Sequence, residues 1–235
     1  MAIIIRWLAS KFKVSQKHER RRQITQAQTR FPELSSAILE YFFDNFGYTM
    51  PLSLLAKIQR ICEEIKPKLV VEFGSGLSTM VLCDTLFKSR GFLITIDESM
   101  KWLENTYNII NHKDRILFTC IPDINKNYYA TLSKYISLKS EPDLIIIDGP
   151  SGGNRFSESA LKLYNELLSQ KSVCVIDDTD REENQLGANK LATKFSLHKI
   201  DYGDPIYVNH QYSILFPQHF DYNIHNVNAH LEENR

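Results

Sequence analysis

The chain has 235 residues, 43% of them hydrophobic and 24% charged, which excludes a disordered or fibrous chain and fits one ordinary globular domain with a sizeable core. Lysine plus arginine (28) equals aspartate plus glutamate (28), so no overall field steers the protein to nucleic acid. The four cysteines, Cys62, Cys83, Cys120 and Cys174, lie far apart with no zinc-ligand or disulfide spacing, and no apolar run is long enough to cross a bilayer, so a reduced, cytoplasmic chain is expected.

The charge balance hides an asymmetry. Residues 1–22 carry seven basic side chains (Arg6, Lys11, Lys13, Lys17, Arg20, Arg21 and Arg22) against Glu19, a local +6 that leaves −6 elsewhere. With Ile3, Ile4, Trp7, Leu8 and Phe12 forming an apolar face, residues 1–30 read as a basic arm. Such an arm would contact the inner face of an anionic membrane or an acidic partner, or simply be solvated. Two helices are predicted over a 31–66 extension that would form a lid or a homo-oligomer surface. Pro32 opens one, with Ala37, Ile38, Tyr41 and Phe42; Pro51 opens the other, with Leu54, Leu55, Ile58, Ile61, Cys62 and Ile65; Pro67 ends it.

From residue 67 to 217 short apolar runs alternate with amphipathic segments. Strands are predicted at 68–73, 91–97, 116–120, 143–148, 172–177, 197–202 and 212–217, and helices at 78–88, 100–110, 157–168 and 183–195. This is an α/β pattern: a doubly wound, mostly parallel seven-stranded sheet with helices on both faces, a closing hairpin, and an N-terminal helical extension. The tail 218–235 is expected to be loosely ordered.

The most informative stretch is Leu69-Val-Val-Glu72-Phe-Gly74-Ser75-Gly76-Leu-Ser78-Thr79, a strand running through a glycine turn into a helix. In a doubly wound sheet, ligands bind beyond the carboxyl ends of the strands near this turn. A dinucleotide fingerprint would place a third glycine at 79, where Thr79 stands, and Glu72 would repel a pyrophosphate. A cationic ligand suits Glu72 better. Asp97, followed by Glu98, closes the second strand 23 residues after Gly74, the separation at which such folds place a carboxylate on ribose hydroxyls.

Glu72-Phe-Gly74-Ser75-Gly76 together with Asp97 resembles the first motifs of class I S-adenosylmethionine (SAM)-dependent methyltransferases, although Ser78 replaces the third glycine of the family's pattern. The resemblance implies a Rossmann-like methyltransferase fold and SAM held around Glu72, Gly74, Ser75, Gly76, Ser78, Thr79, Asp97 and Glu98.

The fourth and fifth strands end in Asp148-Gly149-Pro150 and Asp177-Asp178-Thr-Asp180-Arg181. Adjacent carboxylates there require a divalent cation, a proton or Arg181 to neutralise them, and oxygen ligands favour magnesium. The arrangement resembles the catechol O-methyltransferase branch, implying Mg2+ on Asp148, Asp177 and Asp178, with Asp178 where that branch has asparagine. It is also similar to the glucuronoxylan methyltransferase-like group, in which an Asp-Gly-Pro loop and an Asp-x-Asp-Arg run recur, though Asp177 has no counterpart there. These likenesses imply O-methylation of a saccharide or other polyhydroxylated small molecule, with Asp148, Asp178 and Arg181 as catalytic residues.

Other readings of these residues stand beside that one. Asp177 or Asp180 would cap the following helix. Arg155, after the loop Ser151-Gly152-Gly153-Asn154, would meet an acidic group on the acceptor or lie on a plain surface loop. Without a metal the general base is a carboxylate such as Asp148 or a histidine, of which His210 or His219 alone could reach the strand ends. Tyr128, Tyr129 and Tyr135 would pack on helices or line a substrate wall. A nicotinamide-dependent oxidoreductase and a non-catalytic, peripheral-membrane or assembly protein on the same fold are the rival functions.

Overall fold

The computed structural model describes residues 18–45, 49–121, 141–151, 155–204 and 209–220. The apolar face of the arm, Tyr128, Tyr129 and Tyr135, the Gly152–Asn154 loop, His225, His230 and the tail beyond 220 lie outside the described residues.

The described residues begin in a helix that covers 18–30 (α1), followed by α2 (Ser36–Asp44) and α3 (Leu52–Ile65). Pro32 does not open α2 as the sequence pattern suggested. It sits in the preceding turn, and Ser35 is the N-cap, its hydroxyl accepting from the amide of Ile38. Pro51 does stand at the N-cap of α3, and Lys66, in the left-handed region at φ 47°, ends that helix just before Pro67.

There follow β1 (Leu69–Phe73), α4 (Leu77–Ser89), β2 (Phe92–Asp97), α5 (Met100–Ile109), β3 (Ile116–Cys120), β4 (Leu144–Ile147), α6 (Glu158–Leu167), β5 (Val173–Ile176), α7 (Glu182–Phe195), β6 (Leu197–Gly203) and β7 (Gln211–Pro217). The strands form one seven-stranded sheet in the order β3-β2-β1-β4-β5-β7-β6, parallel except for β7, which runs antiparallel to both neighbours. The predicted closing hairpin is β6–β7.

Alternation along the strands sorts the core into two layers. Val70, Leu93, Leu144, Ile146, Val173 and Val175 face one side, where they meet buried residues of α2, α3 and α4 together with Ala27, Phe31 and Leu34. Val71, Phe73, Ile94, Ile96, Ile145 and Ile147 face the other, against Ala160, Leu163, Tyr164 and Leu167 of α6 and Ala188 and Leu191 of α7. The helices before the sheet therefore share one core with it. Each fully buried leucine or isoleucine in these layers contributes about 1.5–3 kcal/mol relative to an exposed one.

The chain passes from β1 to β2 on one side of the sheet and returns to β4 on the other, so the carboxyl ends of β1 and β4 flank the topological switch. Asp97, Asp148 and Asp177, which close or follow β2, β4 and β5, gather along this edge. No helix among the described residues is long and apolar enough to cross a membrane.

Candidate active site

At the switch point the β1–α4 turn touches the β4 loop backbone to backbone. Gly74 has φ +92°, and a Cβ there would lie 2.9 Å from the amide nitrogen of Gly149; a Cβ on Gly149 would lie 2.8 Å from that of Gly74. Only glycine on both sides lets the loops approach this closely.

All three amides of the turn are satisfied from within the protein. Gly74 N donates to Ile96 O at 2.8 Å, Ser75 N to Asp97 Oδ2 at 2.7 Å, and Gly76 N to Thr79 Oγ1 at 2.9 Å. Thr79 in turn donates to Glu72 Oε2 at 2.7 Å. Glu72 is fully buried behind the turn, and burial pushes its carboxyl up to about 7, with the hydroxyls of Ser78, Thr79 and Thr95 acting in the opposite direction. Ser78 and Thr79 are buried with it on α4.

Gly74, Ser75, Asp97, Glu98 and Trp102 form one wall of a cavity of about 580 Å³, a size ordinary for a small-molecule site. Asp97 accepts from the amide and hydroxyl of Ser75 and, through Oδ1, from the amide of Ser99. Three of the roughly four acceptor positions of its carboxylate are thereby engaged. Glu98 Oε1 accepts from the amide and hydroxyl of Ser151, tying the end of β2 to the loop after β4. Trp102, in the first turn of α5 capped by Ser99, donates its Nε1–H to Ser75 O and lies over Gly76.

Asp148, Asp177, Asp178, Arg155, Arg181 and His210 form the opposite wall, with Thr49, Met50 and Pro51 before α3 completing the rim. Arg155 is 3% exposed, and it does not reach towards an acceptor as its loop position suggested. Its Nη2 lies 3.0 Å from Asp178 Oδ2 and 3.3 Å from Asp148 Oδ1, its Nη1 donates to Asp177 O, and its Nε donates to Pro150 O. Arg181, 45% exposed, also meets Asp178 Oδ2 at 3.0 Å. His210 enters from the β6–β7 hairpin with Nε2 3.0 Å from Asp177 Oδ1.

Burial pushes Asp148 up to about 6, with Arg155 pulling the other way and Asp178 adding to the rise. Asp177 is pushed well above the carboxylate range, by burial first and then by Asp148 and Asp178. Burial thus drives Asp177 toward its protonated form, while the guanidiniums of Arg155 and Arg181 lie beside Asp148 and Asp178.

Neither Asp177 nor Asp180 caps α7. Its N-cap is Arg181, without a side-chain cap. Asp180 accepts instead from the amide of Gln211 at the start of β7, and the side-chain amide of Asn184 donates to Asp178 O. His219 does not line the cavity.

The expected metal set does not fit these residues. An ion among Asp148, Asp177 and Asp178 would have to displace the guanidinium already lodged there. Asp177, Asp178 and His210 have potential ligand atoms within 4.8 Å of one another, but Asp178 already carries two guanidiniums, which would repel a dication.

The comparisons with known proteins bear on this geometry. No family model matches the sequence, and none of the curated proteins matches it. Among solved structures, the SAH-bound methyltransferase PaMTH1 of Podospora anserina superposes with a TM-score of 0.59 at 15% identity, over 79% of this chain and 89% of that one. The O-methyltransferase TomG of Streptomyces achromogenes, in complex with SAM, gives 0.59 at 12% identity over 83% and 89%. An O-methyltransferase of Bacillus cereus in complex with SAH gives 0.58 at 15% identity over 78% and 91%. The fold is that of the class I methyltransferases. On this methyltransferase fold, the Gly74–Gly76 turn and the acids Asp97, Asp148 and Asp177 stand at the strand edge where the sheet reverses its order.

Sequence reasoning overlooked Trp102, Thr49–Pro51 and the burial of Arg155. No local pattern marks the first two, and the glycines before Arg155 pointed to an exposed loop.

Proposed function

We propose that this protein is a SAM-dependent methyltransferase that transfers a methyl group to a hydroxyl oxygen of a saccharide or similar polyhydroxylated acceptor. The observation that carries this reading is the closed hydrogen bonding of the glycine turn beside Asp97 and Glu98. A pyrophosphate needs free backbone amides and positive potential, whereas here the turn's amides are spent and two carboxylates stand at the rim. That environment favours a cationic cofactor and disfavours a nicotinamide dinucleotide.

Bound SAM would supply an electrophilic methyl group on a sulfonium. Gly74 and Gly76 leave room for it, Asp97 offers its remaining acceptor position to a ribose hydroxyl, and Trp102 closes that end. Glu72 acts from behind, holding Thr79 and thus the turn.

At the other wall Asp148 is the general base. It keeps 27% of its side chain exposed, is ionised at neutral pH and is more basic than an ordinary aspartate. With SAM held at the opposite wall to supply the methyl group, Asp148 would take the proton of the acceptor hydroxyl. Arg155 holds Asp148 in position, and Arg181 at the cavity mouth donates to acceptor oxygens.

Calorimetric titration with SAM, SAH and NADH tests the reading. Binding of SAM and SAH with no heat from NADH is expected; NADH binding without SAM binding would overturn it.

A further inference from the structure

We infer that the guanidinium of Arg155 is a built-in substitute for a divalent cation, balancing and orienting the strand-end carboxylates and closing their shared position to hard metal ions. This deepens the methyl-transfer reading by naming what its acceptor site does without, yet it stands on contacts that do not depend on which cofactor fills the cavity.

The first argument is geometric. Arg155 gathers four oxygens from two segments: Asp148 Oδ1 and Pro150 O in the loop between β4 and α6, and Asp178 Oδ2 and Asp177 O after β5. A bound cation would draw the same segments together. A planar guanidinium does so with fixed donor directions, and it cannot be deprotonated away at any ordinary pH.

The second argument is burial. At 3% exposure Arg155 has given up its water, so its charge depends on Asp148 and Asp178 remaining beside it. The dependence is mutual, because Asp148 and Asp178 would repel each other without it. Leaving the cluster would strand a desolvated charge, so a metal ion cannot simply push the side chain aside.

The third argument is charge. Asp178 Oδ2 is already ion-paired with Arg155 and Arg181 at 3.0 Å each. A dication using this carboxylate would sit near two further positive groups. Activation of the acceptor then rests on Asp148 as a base and not on a Lewis acid.

The test uses the full chain, stripped with EDTA and dialysed, with Mn2+ as the probe and the electron paramagnetic resonance signal of free Mn2+ as the readout. Wild type is expected to leave that signal at its buffer level up to ~1 mM, the weak end of protein cation sites. Arg155→Ala is expected to take up one Mn2+ per chain, displaced by excess Mg2+ and lost in Arg155→Ala/Asp178→Asn. Arg155→Lys, which keeps a cation in place, should remain closed.

Stoichiometric Mn2+ uptake by wild type that Asp178→Asn abolishes would overturn the inference. So would a folded Arg155→Ala that takes up none. If Arg155→Ala does not fold, the wild-type and Arg155→Lys titrations decide, and uptake by either sinks the idea. Mn2+ uptake is read without cofactor or acceptor, so failure here is distinguishable from failure to bind SAM.

Discussion

Thr79 donates its hydroxyl proton to Glu72 Oε2 at 2.7 Å while accepting from the amide of Gly76 at 2.9 Å. One side chain thus couples a fully buried acid to the backbone of the glycine turn. Glu72 acts on the cavity wall from behind without lining it.

Thr79→Val keeps the shape and removes the bridge. It leaves a buried acceptor and a turn amide without this partner, which is expected to cost about 1–3 kcal/mol of stability. Chemical denaturation gives the value, and an unchanged midpoint would show that the bridge is dispensable.

Glu72 also sets a pH dependence. Its carboxyl is raised to about 7 in the folded chain, above the ~4.3 of an unfolded glutamate. The unfolded chain therefore loses its proton first, and the stability contributed by protonated Glu72 is full below the unfolded value and is lost as pH rises to about 7. Compared with wild type, Glu72→Gln should show a shallower fall in unfolding free energy across that window. Parallel curves would refute the assignment.

Asp97→Ala removes the acceptor for the amide and hydroxyl of Ser75 and the amide of Ser99. SAM affinity should fall by at least ~10-fold, a loss of about 1.4 kcal/mol, as followed by quenching of Trp102. The protein's other tryptophan is Trp7, so Trp102→Phe identifies the reporter.

Asp148→Asn should leave SAM affinity within a few-fold and lower kcat by about 10²–10⁴, the usual contribution of a positioned base. In wild type the rate should hold at neutral pH and fall as pH drops through about 6, where Asp148 gains its proton. Loss of SAM binding with transfer intact at saturation would remove Asp148 from the chemistry.

Gly74→Ala places a methyl group 2.9 Å from Gly149 N at a φ of +92°. Forcing the two loops apart should cost about 1–3 kcal/mol and weaken SAM binding together with thermal stability. A variant as stable as wild type would mean that the loops can separate freely.

Strand order along the chain, the glycine turn and the acids that close or follow β2, β4 and β5 were legible in the sequence because each rests on a local signal. Apolar runs of four to six residues mark buried parallel strands, and glycine pairs or terminal aspartates mark where those strands stop. Local chemistry misled at Pro32, where the Ser35 hydroxyl won the helix start, and at Asp180, whose carboxylate went to Gln211 across the sheet and not to the next helix.

Arg155 could not be placed that way, and His210 only as one of two histidines able to reach the strand ends. Their roles depend on which distant segments come to lie beside them. Residues 151–155 read as a flexible polar loop, yet three carboxylates meeting at one sheet edge draw the guanidinium inward, because like charges so close need a cation. His210 reaches Asp177 only because the β6–β7 hairpin folds back antiparallel. Periodicity and turn chemistry act over a few residues and determined the elements and their ends; burial and charge compensation are sums over the whole fold, and only the tertiary structure decided which cation fills the site.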